Sequence, residues 1–414
     1  MINYLYDCYV ILNKVYSKGT FLKQAISGTV IEEKNRALTV KTCYGVLDKD
    51  IELSYYLKKL APKNPKLAIR TVLKISMYAI KYLEKKEYAV LDSAVELTKK
   101  LGKTGASGFV NAFLRRFIKE KVELPRERDE YLSIKYSYPL FAVKKLVEDY
   151  GYERTLSIIS SENAKNTLVF YQTNGEEYLL DKKVNFEKTP FFNVFTAKNF
   201  VRNQDFDKGV YTFQALGSVA ICETVEAGNS LLDCCSAPGG KSIRLSYKFN
   251  EVFSWDCHEH RVELIKSYKE RMNRNNVFES VKDAKEYDEK FVKYFDAVLC
   301  DAPCSGLGVV NDNPDIKLNR TEEDVYSLIR EQREILNTVK NYVKVGGYLY
   351  YSTCSVLKIE NDKTVEAFLE NNKNFEVEEI ESKLNGEKTE YGIQFLPDIS
   401  GGLGFFVAKL KRKN

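Results

Sequence analysis

The chain holds 414 residues, 44% hydrophobic and 29% charged, which fits a globular protein with ample core divided into two or three domains. No apolar run approaches the roughly 20 residues of a membrane span, so no membrane partner is expected. A balance of 63 basic and 58 acidic side chains leaves a net charge of +5, compatible with nucleic acid and not diagnostic of it, while nine cysteines and two histidines argue for free thiols in a reducing cytoplasm and for no metal site.

The first residues lack a basic region followed by an apolar stretch, so no signal peptide is read. Residues 1–125 read as helices. Ile69, Val72, Leu73, Ile80 and Leu83 recur at helical spacing within 67–83, after the breaks at Pro62 and Pro65. A second helix is predicted over 89–100. The glycine-rich stretch 101–108 then breaks the chain, and a helix restarts over 109–117. That helix carries Arg115 and Arg116, read either as a solvated face or as a phosphate contact. Leu124-Pro125-Arg126 looks like a boundary. Residues 126–206 mix signals, with helices over 140–150 and 153–162 and a strand over 167–172, and are expected to form a small α+β module.

From 207 to 414 strands and helices alternate. Strands are predicted at 230–234, 251–256, 295–301 and 347–352, with helices at 241–247, 259–271, 322–342 and 360–369, and a late strand at 404–410. Such alternation implies a mostly parallel, doubly wound sheet with ligands at the carboxyl ends of its strands.

Three segments lie at those ends. Asp233-Cys234-Cys235-Ser236-Ala237-Pro238-Gly239-Gly240-Lys241 follows the first strand, and its glycines let the backbone pass close to a nucleoside or a phosphate. It is neither a P-loop nor GxGxxG, and a plain strand–helix turn would look similar. Asp256 ends the second strand, where an acidic residue meets ribose hydroxyls in nucleotide-binding folds, or where it merely caps the following helix. Asp283 lies near the third strand end, toward the adenine side of such a ligand. The loops Asp301-Ala302-Pro303-Cys304-Ser305-Gly306 and Ser352-Thr353-Cys354-Ser355 each present a cysteine among small polar residues. A thiolate so placed can attack an electron-poor carbon. Cys8, Cys43, Cys222, Cys234, Cys257 and Cys300 read instead as small core hydrophobes.

Segments 233–242, 301–306 and 352–355 together resemble the RNA cytosine carbon-5 methyltransferases that use S-adenosylmethionine. Ala94-Val95-Glu96-Leu97 and Gly108-Phe109-Val110-Asn111-Ala112-Phe113-Leu114-Arg115-Arg116 resemble NusB, an RNA-binding helical fold. A NusB-like front on this catalytic back is the arrangement of the RsmB (Sun/Fmu) family. The tail 401–410 and Asn313-Pro314-Asp315-Ile316-Lys317 are similar to that family as well.

The resemblance implies an all-α NusB-like domain at 1–125, a small α+β module at 126–206 with helical and RRM-like parts, and a Rossmann-like methyltransferase domain at 207–414. It implies methylation of carbon 5 of a cytosine in 16S ribosomal RNA, cytosine 967 by family likeness, through a covalent cysteine adduct. Cys354 would be the nucleophile, Cys304 would assist release, and Asp301 would hydrogen-bond the base. Lys241 is a candidate to reach base or cofactor. Cys235, Ser236, Ala237, Pro238, Gly239, Gly240, Lys241, Asp256, Asp283 and Asp301 would line the cofactor site. DNA enzymes of this chemistry attack with the proline–cysteine residue alone, so two thiol loops favour RNA. A monomer is expected.

The departures from the family pattern are Ala215 for an aspartate, Leu318 for a tryptophan and Ala284 for a glycine. They touch substrate loops. Transfer RNA as substrate, or a non-catalytic RNA-binding factor on a degenerate methyltransferase body, are the alternatives. The second is disfavoured because Cys304, Cys354 and Asp301 are all present.

Overall fold

The computed structural model describes residues 2–162, 165–198 and 200–414. The chain divides into two compact units, one of Met1–Ile159 with Val310–Thr321, the other of Ser160–Val309 with Glu322–Asn414.

The first unit is helical. Helices Ile2–Lys18, Leu22–Ser27, Glu33–Asp48, Asp50–Leu60, Leu67–Lys81, Glu87–Lys100 and Ser107–Lys119 close around Leu5, Ile11, Leu47, Leu53, Val72 and Leu114. Leu67–Lys81 is the central member and is buried from Thr71 to Ala79 without a break. Polar residues on so buried a helix need partners. The Ser76 hydroxyl donates to the Val72 carbonyl, and Lys74 Nζ lies 2.6 Å from Asp50 Oδ1. Arg116 does not present a free guanidinium. It donates to the Leu60 carbonyl (2.8 Å) and to Glu120 Oε1 (2.6 Å), while Arg115 reaches Asn111 Oδ1 at 3.4 Å.

Three domains were expected from the sequence, whereas the structure has two units. Helices Arg128–Lys135 and Leu140–Tyr150 belong to the first unit, where Leu132, Ala142, Val143 and Leu146 are buried and Ser137 Oγ accepts from the Glu52 N–H. The strands that follow belong to the second. Segment 126–206 is therefore divided between the units. Val310–Thr321 also belongs to the helical unit. The Lys317 ammonium is buried against Asp48 Oδ1 at 2.6 Å, the Leu22 N–H donates to Asp315 Oδ2, and Leu318 packs on the helical core.

The second unit contains two sheets. Strands β1 (Asn166–Phe170), β2 (Phe186–Lys188), β3 (Val194–Ala197) and β4 (Tyr211–Phe213) pair antiparallel in the order β2-β3-β1-β4, with helices Gly175–Asp181 and Gln204–Asp207 between them. That is the β-α-β-β-α-β pattern of ferredoxin-like folds. One face of this sheet packs Leu168, Phe170, Phe195 and Tyr211 against Leu179 of its own helix. The other face joins the larger sheet. Val169, Phe191 and Val194 cluster with Val219 and Ile243, the Tyr171 ring stacks on Tyr247 at 4.5 Å, and Arg271 donates to the Phe206 and Tyr211 carbonyls.

The nine-stranded sheet holds β5 (Gly228–Asp233), β6 (Phe249–Asp256), β7 (Val277–Val281), β8 (Phe295–Asp301), β9 (Val343–Thr353), β10 (Phe375–Val377), β11 (Glu387–Lys388), β12 (Ile393–Phe395) and β13 (Phe405–Arg412). Its order is β11-β12-β13-β9-β8-β5-β6-β7, with β10 on β13. Strands β5 to β9 run parallel, and β13 runs antiparallel to β9. The architecture is Rossmann-like with an antiparallel extension. Strand β5 sits between β6 and β8, so the order reverses there and the carboxyl ends of β5, β6 and β8 face one crevice, where such sheets bind ligands. Among the described residues no helix is long and apolar enough to cross a membrane.

Candidate active site

The turn after β5 is built to let a ligand approach the backbone. Gly239 has φ 102°, a left-handed conformation that side chains disfavour, and a Cβ there would touch Ile265 at 3.4 Å. Its N–H donates to the Ser236 carbonyl, and its carbonyl accepts from Ile243 as helix Gly240–Leu245 begins. Ser236 ties the turn to β6 by donating both its N–H and its hydroxyl to the Trp255 carbonyl. Gln214, next to the variant Ala215, donates to the Gly240 carbonyl from the neighbouring segment.

Asp233 closes β5 and is fully buried. Its Oδ2 accepts from the Ser242 hydroxyl at 2.6 Å. Its Oδ1 makes no hydrogen bond, although the Cys235 N–H lies near the carboxylate. Burial, with Asp301 adding to it, pushes the Asp233 carboxyl up to about 7. Asp256, at the end of β6, is also buried. It accepts from the N–H of His258, the residue before the following helix, and pairs with Arg261 at 3.3 Å. Asp283, two residues past β7, is half-buried and accepts from the Lys285 N–H.

Asp301 ends β8 beside Lys241. Its Oδ2 lies 2.6 Å from Lys241 Nζ, and its Oδ1 accepts from the Ser352 hydroxyl at 2.7 Å. Burial disfavours the Lys241 charge, but Asp301 outweighs it and holds the ammonium above its usual range. The Asp301 carboxylate thus links its own strand, before the first thiol loop, to the glycine turn through a salt bridge and to the strand before the second thiol loop through a hydrogen bond.

The two thiols meet. Cys304 Sγ and Cys354 Sγ are 3.2 Å apart, and the Cys354 N–H donates to Cys304 Sγ at 3.3 Å. Both are free, with Cys304 buried and Cys354 half-buried. The bond to Cys354, reinforced by burial and by Glu360, pushes the Cys304 thiol well up. The loops approach this closely because Gly308 has no side chain. A Cβ there would meet the Cys354 carbonyl at 2.8 Å and the Gly404 carbonyl at 2.3 Å.

Beneath the sulfurs lies a polar group that sequence reading missed. Glu360 is fully buried and accepts from the Ser305 N–H and from the Ser305 and Ser355 hydroxyls, with Gln332 also near. Asn361 accepts from Thr353 and donates to the Ser355 carbonyl. The available signal is an acidic–amide pair ahead of an amphipathic helix, but only the fold turns it under the loops. Cys234, Cys300, Cys222, Cys8 and Cys43 are buried as expected. Cys257 is not, because it lies past the end of β6 and is exposed.

A family model described as 16S rRNA methyltransferase RsmB/F matches residues 220–411, and a NusB family model matches 2–119. The chain is 31% identical to the "Probable ribosomal RNA small subunit methyltransferase B" of Bacillus subtilis, over 97% of this chain and 96% of that one. The chain belongs to the RsmB/F family of 16S rRNA methyltransferases. The Photorhabdus laumondii "Ribosomal RNA small subunit methyltransferase B" is 28% identical over 97% of each chain. Among solved structures, "Crystal Structure of PH0851" shares the fold over 99% of this chain and 98% of that one, at TM-score 0.84 and 21% identity. "The crystal structure of NSun6 from Pyrococcus horikoshii with SFG" covers 70% of this chain and 98% of that one, at TM-score 0.59 and 17% identity.

Enzymes of this family use S-adenosylmethionine, and the crevice suits it. That cofactor carries a sulfonium, an ammonium and ribose hydroxyls. The crevice offers carboxylates at Asp233, Asp256 and Asp283, one with an oxygen lacking a partner, beside a glycine turn that admits a ligand to the backbone.

Proposed function

We propose that this enzyme methylates carbon 5 of one cytosine of 16S ribosomal RNA, cytosine 967 by family likeness, through a covalent adduct with Cys354. It does so as a cytoplasmic monomer. The observation that supports the reading is the 3.2 Å approach of two free thiols at the carboxyl ends of β8 and β9.

In this reading Cys235, Ser236, Ala237, Pro238, Gly239, Gly240, Lys241, Asp256, Asp283 and Asp301 hold S-adenosylmethionine. When bound, it supplies an electrophilic methyl group on a sulfonium. The Cys354 sulfur forms a bond to carbon 6 of the base, which makes carbon 5 enamine-like and nucleophilic. Asp301, oriented by Lys241 and Ser352, hydrogen-bonds the ring where charge develops on attack. After methylation, carbon 5 loses its proton and the sulfur–carbon 6 bond breaks. Cys304 is the neighbour placed to assist that release. The target base leaves its stack to reach a half-buried sulfur, at a cost of a few kcal/mol that RNA contacts elsewhere offset.

Cys354→Ala abolishes turnover, and Cys304→Ala leaves an RNA-linked protein band on a denaturing gel. Turnover by the first variant, or no band with the second, rejects the assignment of these roles. Bisulfite sequencing of ribosomal and transfer RNA from a deletion strain, with add-back, names the base.

A further inference from the structure

We propose that Glu360 is a positioning residue that ties the two thiol loops together from below and so sets the separation of their sulfurs. This rests on the two-thiol chemistry proposed above.

The geometry is specific. Ser305 follows Cys304 directly, and Ser355 follows Cys354 directly. Glu360 Oε1 accepts from the Ser305 N–H at 2.7 Å, and its Oε2 accepts from the Ser305 hydroxyl and the Ser355 hydroxyl, each at 2.5 Å. The two hydroxyls are themselves 3.3 Å apart. A single carboxylate thus spans the residue after each sulfur. Gln332, whose Nε2 donates to the Pro303 carbonyl on the other side of Cys304, lies 3.4 Å from Glu360 Oε1.

A buried carboxylate is costly unless hydrogen bonds compensate it. Here neutral O–H and N–H donors converge on it and offset part of that cost, while burial still holds its carboxyl above the usual range. A group that only accepts matches a set of groups that need to donate. Alanine would strand two buried hydroxyls facing each other and free both loops. Glu360 has no bond to either sulfur, so it acts through the loops, and its charge helps Cys304 keep its proton.

The test uses the full-length enzyme with its RNA substrate. Glu360→Ala lowers kcat about 100-fold, the scale of a 1 Å misplacement at a reacting centre, with RNA KM and cofactor affinity within about twofold of wild type. Glu360→Gln, which keeps the shape and can re-form the network with reversed donors, recovers at least tenfold of that loss. The Ser305→Ala/Ser355→Ala double variant, which cuts the tie and leaves Glu360 in place, repeats the kcat defect even if the Glu360 variants fail to fold. Turnover within threefold of wild type for Glu360→Ala or the double serine variant overturns the proposal. So does a loss that tracks cofactor affinity and is not relieved by glutamine. If wild-type enzyme forms its Cys354 adduct while these variants behave normally, only the role of Glu360 fails. If Cys354→Ala retains turnover, the two-thiol reading itself fails.

Discussion

Asp233 makes the fold sensitive to pH in a direction opposite to most paired carboxylates. Its carboxyl rises from the usual 3.8 to about 7, because burial is only partly offset by the Ser242 hydroxyl. Below about pH 4 it is protonated in folded and unfolded chains alike and costs nothing extra. Between about pH 4 and 7 the unfolded chain releases a proton that the folded chain keeps, so stability falls as pH rises. Above 7 the full penalty stands, about 4 kcal/mol from a gap of about three pH units at about 1.4 kcal/mol each. Asp233→Asn retains an oxygen for Ser242 and cannot ionise. Urea denaturation from about pH 4.5 to 8.5, followed by the fluorescence of the single tryptophan, Trp255 on β6, reads the same unit. Wild type should lose about 3–4 kcal/mol more than the variant across that range, all other titrating groups being common to both. Saturating cofactor, which brings positive charge to the crevice, should shrink the difference. Parallel pH slopes for the two proteins would refute the argument.

Two further substitutions test the scaffold. Gly239→Ala forces a side chain into a left-handed backbone at φ 102°, and should cost about 1–2 kcal/mol in urea midpoint and weaken cofactor binding by calorimetry. An unchanged midpoint would show that the turn relaxes freely. Lys317→Met keeps the buried stem and removes the ammonium from Asp48, a third exposed, and should cost about 2–3 kcal/mol, below the 3–5 of a fully buried pair. Limited proteolysis should then cut within 310–321, and resistance equal to wild type would mean that other contacts hold the segment.

Much of the catalytic half is legible in local pattern. Apolar runs 295–301 and 251–256 and helix 259–271 stand out by period and length, and β8 and helix Glu259–Arg271 have the predicted bounds. The short strands β10 to β12 are not legible, because two or three residues carry no period and their pairing on β13 is long-range. The thiols, Asp301, Lys241 and the glycine turn are visible because their residue types are unusual at strand ends.

Residue order by itself placed the chemistry at five strand ends and set glycines where a side chain would clash. Only the tertiary structure decided that two sulfurs so far apart in sequence meet at 3.2 Å. It also set one carboxylate beneath both loops, left Asp233 in the interior with an oxygen unpaired, and assigned 310–321 to the helical unit. Sequence spacing encodes periodicity along one strand or helix. Distances between loops, and the burial that shifts a carboxyl or a thiol, arise only when separate elements share one core.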